Sequence, residues 1–513
     1  MSITTSPETT SPETTGGAPI GAEPTSAARL DELARRAAVA APIWRASTAA
    51  ERATWLRAAA DALDAHLDEL VVIADEETRL GAVRLRGEVG RTSGQLRLFA
   101  TVVEEGSYLE AIVDDADPTA TPPRPELRRM LTGVGPVAVF SASNFPFAFS
   151  VAGGDTASAL AAGNPVIVKA HSGHPRLSVR TAEIVAAALT SAGAPEGSLA
   201  LVTGREAGNA LVQHPVIQAA GFTGSVGGGR ALFDLATGRP DPIPFYGELG
   251  SVNPVVITSA AITARGDALA SGLVSSFTLG VGQFCTKPGV VFVPRGGAGG
   301  AEFGALVAQA VQGVAGGPLL TDRITEAFPE GIAHLAADPS VSILAGTVPT
   351  PDAAQPDAAQ PVVLATDTAA VIARPEVLLE ECFGPVTLLV AYDGPDDLLA
   401  ALESVPGSLT ATLHSEPGDD VADVLEVLQR KAGRVLFAGW PTGVAVTWSQ
   451  QHGGPWPATT SLHTSVGATA IRRFLRPVAF QDAPAHLLPA PLRDAELAGI
   501  PHRRNGVLSS ATG

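Results

Sequence analysis

Cysteine is scarce in this chain: Cys285 and Cys382 are the only two among 513 residues, and no CxxC pair occurs. Disulfide-stapled domains and structural zinc clusters both need several closely spaced cysteines. The sequence therefore argues against a disulfide framework and against a cysteine-rich metal cluster. We expect both thiols to be reduced.

Basic residues are also in short supply. The chain has 34 Lys and Arg against 52 Asp and Glu, which gives a net charge of −18. This excess disfavours nucleic acid or an anionic membrane as a partner, since both are negatively charged. No apolar run approaches the roughly 20 residues that cross a bilayer, and the N-terminal residues lack the basic start and apolar middle of a secretory signal. We expect a cytoplasmic protein.

What the chain does have is length and apolar content. Its 513 residues exceed one ordinary core, and a hydrophobic content of 45% can fill more than one. Residues 1–25 contain the sequence SPETT twice and almost no apolar side chains, which predicts a disordered tail. The segment from residue 26 to residue 110 is rich in Ala, Leu, Arg and Glu with helical periodicity, which predicts packed helices.

After residue 135, short apolar strands alternate with helical stretches. Near-continuous apolar strands joined by helices are typical of a parallel sheet that is covered on both faces. The predicted fold class is therefore α/β, with one parallel-sheet domain in residues 135–250, joined by the helices of residues 26–110, and a second in residues 251–440. A nucleotide site is expected at the carboxyl ends of the strands.

The remaining segments are residues 111–134 and 441–513. The first has Asp and Pro clusters that interrupt short apolar pieces, as in a protruding hairpin, although a plain surface loop has the same pattern. The second becomes proline-rich after about residue 482, which predicts an irregular end.

Cys285 stands in an unusual setting. It lies in residues 282–289, with the sequence GQFCTKPG, and the apolar run VVFV follows directly. Glycine on both sides permits a sharp bend and the close approach of a ligand. We therefore interpret this segment as a nucleophile on a loop that enters a strand. By residue type alone, a lone cysteine is more often an inert core thiol, so the interpretation depends on other segments.

Two other segments supply that context: SASNFPF at residues 141–147 and GELGSVNP at residues 247–254. Together with the cysteine loop they resemble, in order and in spacing, the three active-site signatures of the aldehyde dehydrogenase superfamily. The resemblance covers most of the chain. It implies an aldehyde-dehydrogenase-like fold with a cofactor-binding and a catalytic α/β domain. It also implies a small oligomerisation arm, formed by residues 111–134 and 441–513, and hence a homodimer or homotetramer.

The resemblance implies roles for three residues. The Cys285 thiolate attacks an aldehyde carbon, and the side-chain amide of Asn144 stabilises the resulting oxyanion together with the N–H of Cys285. Glu248 then activates the water that hydrolyses the thioester. Its apolar and glycine neighbours predict partial burial and a pKa raised toward neutrality. The alternatives are an ordinary turn-forming asparagine and a solvated carboxylate at a strand end.

Cofactor binding is predicted for residues 222–229, FTGSVGGG, which close a strand and open a helix. Small residues and free helix N–H groups suit a pyrophosphate, although glycine clusters are common in tight turns. The resemblance implies these contacts: the turn through Gly224 and Ser225, the adenosine ribose through Lys169, and the nicotinamide ribose and ring through Glu381 and Phe383. Cys382, between the last two, is expected to be a packed bystander.

Ser172 decides the predicted choice of cofactor. NAD-preferring relatives often carry a glutamate three residues after the lysine, where it binds the ribose hydroxyls and repels a 2′-phosphate. Ser172 cannot repel that phosphate, and Lys169, His171 and Arg205 are candidates to attract it. We expect NADP to be used at least as well as NAD.

The histidines do not predict a metal site. His171 and His174 are three residues apart, but no carboxylate or third ligand completes a set nearby. We interpret these two and His452 as structural or phosphate-contacting histidines, and we expect no metal.

Within the superfamily, residues 151–170 and 441–481 most resemble the 2,5-dioxopentanoate (α-ketoglutarate semialdehyde) dehydrogenases. In the second segment the likeness lies in HGGPWPAT from residue 452, TSVG from residue 464 and RRF from residue 472. It implies a small aldehyde substrate with a distal carboxylate, oxidised to 2-oxoglutarate. Candidate anchors for that carboxylate are His463, Ser465 and Arg472.

Three alternative functions are open at this level. An arginine common in those enzymes is replaced here by the sequence TSLH at residues 460–463, so an uncharged aldehyde lined by Trp456 and Phe147 is an alternative substrate. Transfer of the acyl group to CoA is a second alternative, which the water-activating Glu248 disfavours. A non-catalytic binding protein is the third, against which the intact Cys285 and Asn144 weigh.

Overall fold

The structure is a computed structural model that describes residues 23–296, 300–348 and 358–510. Almost all of the predicted disordered tail, residues 1–25, lies outside the described residues. Within the described residues, no helix is long and apolar enough to cross a membrane.

Helices make up much of the described chain. In chain order they are α1 (Ala27–Ala46), α2 (Ala49–Ala65), α3 (Leu67–Thr78), α4 (Ala82–Glu105), α5 (Gly154–Ala161), α6 (Pro175–Ser191), α7 (Arg205–Gln213), α8 (Val226–Thr237), α9 (Ser259–Phe277), α10 (Gly300–Val311), α11 (Asp322–Ala336), α12 (Thr368–Ala373), α13 (Pro375–Leu378), α14 (Pro395–Ser404), α15 (Ala422–Lys431) and α16 (Asp494–Leu497).

The strands form three sheets. In chain order they are β1 (Ala111–Asp114), β2 (Leu127–Gly133), β3 (Val137–Phe140), β4 (Val166–Lys169), β5 (Leu199–Val202), β6 (Ala219–Thr223), β7 (Phe245–Glu248), β8 (Val255–Ile257), β9 (Val290–Pro294), β10 (Ser342–Ala345), β11 (Val362–Asp367), β12 (Val386–Tyr392), β13 (Ser408–His414), β14 (Ala432–Phe437), β15 (Leu475–Gln481), β16 (His502–Arg504) and β17 (Val507–Ser509).

The first α/β unit has the strand order β5-β4-β3-β6-β7, and every pairing in it is parallel. Helices α5 to α8 connect its strands in turn, as parallel pairing requires. The buried strands β3 and β4 carry almost only apolar side chains because helices cover both faces of the sheet. The α/β fold class predicted from the sequence is confirmed.

The second unit has the strand order β10-β11-β12-β9-β8-β13-β14. All its strands are parallel to their neighbours except β10, which is antiparallel to β11. The parallel-sheet prediction therefore holds for all but this edge. The exposed side chains of β10 explain the difference, since an antiparallel edge strand tolerates solvent on one face.

The third sheet contains the predicted hairpin. Strands β1 and β2 pair antiparallel, β15 joins β2, and β16 pairs parallel with β1 and antiparallel with β17. The hairpin is thus confirmed, whereas the expectation of an irregular end is wrong for β16 and β17. These three-residue strands are too short to show a pattern, and β16 depends on a long-range pairing of His502 with Ala111.

Each predicted domain range contains one sheet or its parts, although the exact domain limits stay a prediction.

Helices α1 to α4 pack beside the first sheet. Among them α4 matters for the site, since it places Arg84, Glu88 and Arg91 at intervals of four and three residues on one face. It ends at Gly106, whose φ of 83° is the left-handed conformation of a helix C-cap.

Candidate active site

The first sheet delivers several predicted residues to one edge. Glu248 ends β7 and Lys169 ends β4, while Asn144 follows β3 and Ser225 follows β6. The register pairs Thr223 with Glu248 across neighbouring strands. Because parallel strands all point the same way, their carboxyl ends share one edge of the sheet.

Cys285 lies in the connection between α9 and β9, as the sequence predicted. Gly282 has a φ of 68°, and a Cβ there would stand 2.2 Å from the carbonyl oxygen of Gly384, so a side chain would have no room. The amide of Asn253 donates to the carbonyl oxygens of Cys285, at 2.8 Å, and of Lys287, at 2.9 Å. These contacts fix the backbone around the thiol.

Cys285, His452 and Glu248 form a contiguous group. The Sγ of Cys285 lies 3.6 Å from Nε2 of His452, and the same nitrogen lies 3.0 Å from Oε1 of Glu248. Ser465 donates its hydroxyl to the other carboxylate oxygen, Oε2. His452 and Glu248 are almost wholly buried. A single imidazole nitrogen thus stands between a nucleophile and a carboxylate.

Burial raises the pKa of both acids, but the net shifts of their pKa values are opposite. It raises the pKa of the Cys285 thiol far above its ordinary value, and the nearby negative charge of Glu248 adds to that rise. Burial alone would also raise the pKa of Glu248, but His452 and the hydroxyl of Ser465 outweigh it and hold the pKa below its usual value. The expectation of a Glu248 pKa raised toward neutrality is therefore wrong.

Asn144 is buried next to the cysteine loop. Its side-chain amide donates to the carbonyl oxygen of Gln283 at 3.0 Å. The backbone carbonyl oxygen of Asn144 accepts from Nη2 of Arg84 at 2.6 Å. An amide nitrogen has two hydrogens, so one stays available for an oxyanion. The Asn144 amide therefore contacts the loop that carries Cys285, while its role as an oxyanion donor stays a prediction.

Phe284, the residue before Cys285, forms an aromatic wall with Phe145 and Phe149. Phe145 packs edge to face against Phe149 and Phe284, with centroids 5.5 and 5.1 Å apart. The guanidinium groups of Arg84 and Arg91 lie over these rings at 5.1 to 5.5 Å. Phe147 and Trp456, which were predicted to line an uncharged aldehyde, are not among these rings.

Phe147 is fully buried in the core, where its N–H donates to Glu88, and Trp456 is 50% exposed beside Arg230. Phe147 belongs to the core packed by the helical layer. The predicted role of these two residues as a lining for an uncharged aldehyde stays a prediction.

The predicted carboxylate anchors are likewise scattered. Arg472 lies at the surface, paired with Glu110 at 3.2 Å, so it is not an anchor. His463 is exposed against Tyr246. Ser465 is in the site but is engaged with Glu248. The structure thus leaves the role of carboxylate anchor to other side chains.

The predicted cofactor turn has the expected helix. Ser225 caps α8 by accepting from the N–H of Gly228, and Gly224 and Gly227 are exposed, with open space beside Gly227. On the catalytic side, burial raises the pKa of Glu381 to about 7, although the charge of Lys287 opposes the rise. Phe383 is half-buried two residues further on.

The adenosine end holds the remaining predicted residues. Lys169 is half-buried at the end of β4, Ser172 is exposed, and Arg205 is exposed as the first residue of α7. Burial lowers the pKa of His171 to about 3, and its Nδ1 accepts from the N–H of Gly173. The ring is therefore neutral, so His171 can attract a 2′-phosphate only as a hydrogen-bond donor.

Comparison with known proteins identifies the family and supports the fold. Residues 4–475 match the aldehyde dehydrogenase family. The chain belongs to the aldehyde dehydrogenase family. It is an NAD(P)-dependent oxidoreductase, as the sequence predicted.

Two curated relatives extend over nearly the whole aldehyde dehydrogenase chain. α-Ketoglutaric semialdehyde dehydrogenase 2 of Azospirillum brasilense is 49% identical over 93% of this chain and 91% of its own. α-Ketoglutaric semialdehyde dehydrogenase of Acinetobacter baylyi is 43% identical over 94% and 93%. Among solved structures, aldehyde dehydrogenase C of Pseudomonas syringae, in complex with NAD+ and octanal, has a TM-score of 0.75 at 22% identity and covers 90% of each chain. This last likeness supports the fold.

The residues present fit a dinucleotide. An exposed glycine turn at the capped N-terminus of α8 suits a pyrophosphate. Glu381 accepts from the N–H of Ser251 at 3.2 Å through Oε2 only, which leaves carboxylate lone pairs for ribose hydroxyls.

Sequence reasoning missed the catalytic neighbourhood of His452. The ring lies 167 residues from Cys285 and 204 from Glu248, so no local motif joins them. The available signal was that His452 opens the distinctive segment HGGPWPAT.

His174 is structural, as expected, since it is buried and its Nε2 lies 2.9 Å from the carbonyl oxygen of Ala142. The ligand atoms of Cys285, His452 and Glu248 lie within 4.8 Å of one another, which a metal ion could bridge, so the absence of a metal stays a prediction.

Proposed function

We propose that this aldehyde dehydrogenase oxidises 2,5-dioxopentanoate to 2-oxoglutarate, with Cys285 as nucleophile, Asn144 as oxyanion donor and Glu248 as base. The observation that carries the chemistry is the imidazole of His452 between Cys285 Sγ and Glu248 Oε1. The substrate is supported by the two α-ketoglutaric semialdehyde dehydrogenases that align with over nine tenths of the chain.

The first step activates the thiol. A thiol whose pKa is raised by burial needs a base at the moment of attack. His452 Nε2 takes the proton of Cys285 and passes it to Glu248, which releases it to solvent before hydrolysis, so the thiolate forms only where the substrate is bound. The thiolate then forms a C–S bond to the aldehyde carbon while the carbonyl electron pair moves to oxygen.

The oxyanion lies where Asn144 and the Cys285 N–H can donate to it. The free hydrogen of the Asn144 amide supplies one bond, and the backbone supplies the other. Removal of one such donor typically costs about 10²–10³ in rate. When bound, the nicotinamide of NAD(P) accepts the hydride that leaves the substrate carbon, and a thioester on Cys285 results.

The last step is hydrolysis. Glu248, returned to its ionised form, takes a proton from water, and the resulting hydroxide attacks the thioester carbon. The C–S bond breaks, the sulfur regains its electron pair, and the carboxylic acid product leaves. The lowered pKa of Glu248 keeps the base ionised at neutral pH. This water-activating base favours hydrolysis over transfer of the acyl group to CoA.

For the cofactor we propose NADP, used at least as well as NAD. Ser172 is exposed and uncharged, so it cannot repel a 2′-phosphate. Lys169 and Arg205 are the cations proposed to attract that phosphate, while the neutral His171 can offer only its Nε2–H as a hydrogen-bond donor.

For the assembly we propose a homodimer or homotetramer formed through the third sheet, which has the strand order β15-β2-β1-β16-β17. Strand β15 lies at the outer edge of that sheet and pairs only with β2. An edge strand presents a row of unpaired backbone groups that another chain can complete.

One comparison tests the proposed substrate. The value of kcat/KM would be measured for 2,5-dioxopentanoate, hexanal and benzaldehyde, each with NADP and with NAD. We expect a clear preference for the carboxylated aldehyde; a clear preference for the uncharged aldehydes would overturn the substrate assignment. In Glu248→Gln the thioester should persist, and intact-mass analysis after mixing with aldehyde and cofactor would detect it.

A further inference from the structure

Two arginines near Cys285 have the same two atoms without a partner. In Arg91 and in Arg434, both Nε and Nη2 are shielded from solvent and have no hydrogen-bond partner within the described chain. A buried cationic donor without a partner is costly, because its lost hydration is not replaced. Such atoms indicate a polar group that is bound only during function.

The two guanidinium groups reach the site from different parts of the fold. Arg91 lies on α4 of the helical layer, and Arg434 lies on β14 at the edge of the second sheet. Both are close enough to Cys285 that their positive charges oppose the rise of its pKa, and Arg91 also interacts with Glu248. Phe149, over which Arg91 lies, has its ring 6.4 Å from that of His452, and a Cβ on Gly433 would stand 2.1 Å from the carbonyl oxygen of Gly453. Both arginines therefore lie near the segment whose His452 contacts Cys285.

Two acidic side chains lie near Arg91. Glu248 binds His452 and Ser465. Glu88 accepts the N–H groups of Phe147 and Ala148 through Oε1, at 2.8 and 3.0 Å, while its Oε2 has no hydrogen-bond partner within the described chain and its negative charge acts on Arg91. Neither carboxylate forms a hydrogen bond with Nε or Nη2 of Arg91, so these two donors are left for a ligand.

The unpartnered atoms have a specific shape. Nε–H and Nη2–H lie on one edge of a guanidinium group and point the same way, which is the fork that binds both oxygens of a carboxylate. The guanidinium carbon of Arg91 lies 5.5 Å from the ring centroid of Phe145 and 5.2 Å from that of Phe149, and these contacts restrict its position. Arg84 differs, because its Nη2 is used on the carbonyl oxygen of Asn144.

We propose that Arg91 and Arg434 clamp the distal α-keto carboxylate of the substrate whose aldehyde carbon is attacked by Cys285. The fork of one arginine binds the carboxylate. The fork of the other arginine binds a carboxylate oxygen that the first leaves free, or the keto oxygen. This inference rests on the proposed function and names the residues that set its specificity. Four carbon–carbon bonds separate the aldehyde and carboxylate carbons, a span of about 5 Å when extended, so the clamp selects short semialdehydes.

The test compares Arg91→Gln, Arg434→Gln and the exposed Arg472→Gln. The ratio of kcat/KM for 2,5-dioxopentanoate to that for hexanal should fall about 100-fold in the first two variants, mainly through KM, because a buried charge pair is lost. Arg472→Gln should leave the ratio unchanged. In Arg91→Lys the ratio should fall by an intermediate amount, since lysine keeps the charge and loses the fork.

A binding measurement gives a second readout that needs no turnover. Calorimetric titration with glutarate, a dicarboxylate of the same length, should show binding to the wild type and to Arg472→Gln, and at least tenfold weaker binding to Arg91→Gln and Arg434→Gln. Circular dichroism and gel filtration would identify misfolded variants. If a glutamine variant is misfolded, the lysine variant at the same position would be measured instead.

The outcomes separate the two proposals. If the wild type prefers hexanal, the proposed substrate is wrong. If the wild type prefers 2,5-dioxopentanoate but folded Arg91 and Arg434 variants keep that preference and bind glutarate normally, only the clamp is wrong. Equal losses on both aldehydes would also overturn it, since they would indicate a structural role.

Discussion

The Nε2 atom of His452 lies 3.0 Å from Oε1 of Glu248, although 204 residues separate them in the chain. The contact is buried, and it helps to hold the pKa of Glu248 below its ordinary value despite that burial. The same nitrogen lies 3.6 Å from the Cys285 thiol. In the proposed mechanism the carboxylate serves two steps, as the acceptor of the thiol proton through His452 and as the base toward water.

Replacement of His452 tests the proton relay. In His452→Ala, kcat should fall by about 10²–10⁴, the usual contribution of a positioned acid or base. The residual rate should rise with pH into the alkaline range, because the pKa of the isolated thiol is raised. The exposed His463→Asn is the matched control. A folded His452→Ala with an unchanged pH–rate profile would argue against the relay.

The two cysteines should behave differently. Cys285→Ala should abolish oxidation, because no other thiol stands in the active-site loop. Cys382→Ala should keep most activity, since Cys382 is packed in the core and its Sγ lies 3.7 Å from the carbonyl oxygen of Phe328. Initial rates of both purified variants check this. Comparable losses in two folded variants would contradict the assignment.

Ser465 should set the acid limb of the pH profile. Its hydroxyl favours the ionised form of Glu248, so Ser465→Ala should raise the pKa of that carboxyl. Glu248 works as a base only when ionised, so activity would be lost at a higher pH as the solution is acidified. The dependence of kcat on pH measures the shift, with Ser461→Ala as the control. An acid limb moved to lower pH would disprove the argument.

Ser172 should control the choice of cofactor. A carboxylate in Ser172→Glu would repel a 2′-phosphate and accept the ribose hydroxyls, so kcat/KM for NADP should fall at least tenfold relative to NAD. Side-by-side kinetics with both cofactors measure this, with Ser172→Gln as a neutral control. In the wild type, a preference for NAD greater than about tenfold, or roughly 1.4 kcal/mol, would contradict the NADP proposal.

The sequence by itself determined the fold class and the nucleophilic loop, because both depend on local patterns. Alternating apolar strands and helices predict a parallel sheet, and the glycines around Cys285 predict a bent approach to β9. The likeness to known signatures pointed to Asn144 and Glu248 for the same reason, since each signature is a short contiguous segment.

Tertiary structure alone decided the chemistry around those residues. His452, Arg91 and Arg434 come from separate elements, and no local pattern predicts that they meet at Cys285. The sign of the Glu248 pKa shift also depended on these contacts, because burial and hydrogen bonding oppose each other and only their geometry decides which prevails. Arg472 resembled an anchor in the sequence but lies at the surface, paired with Glu110, because charge alone does not determine where a side chain points.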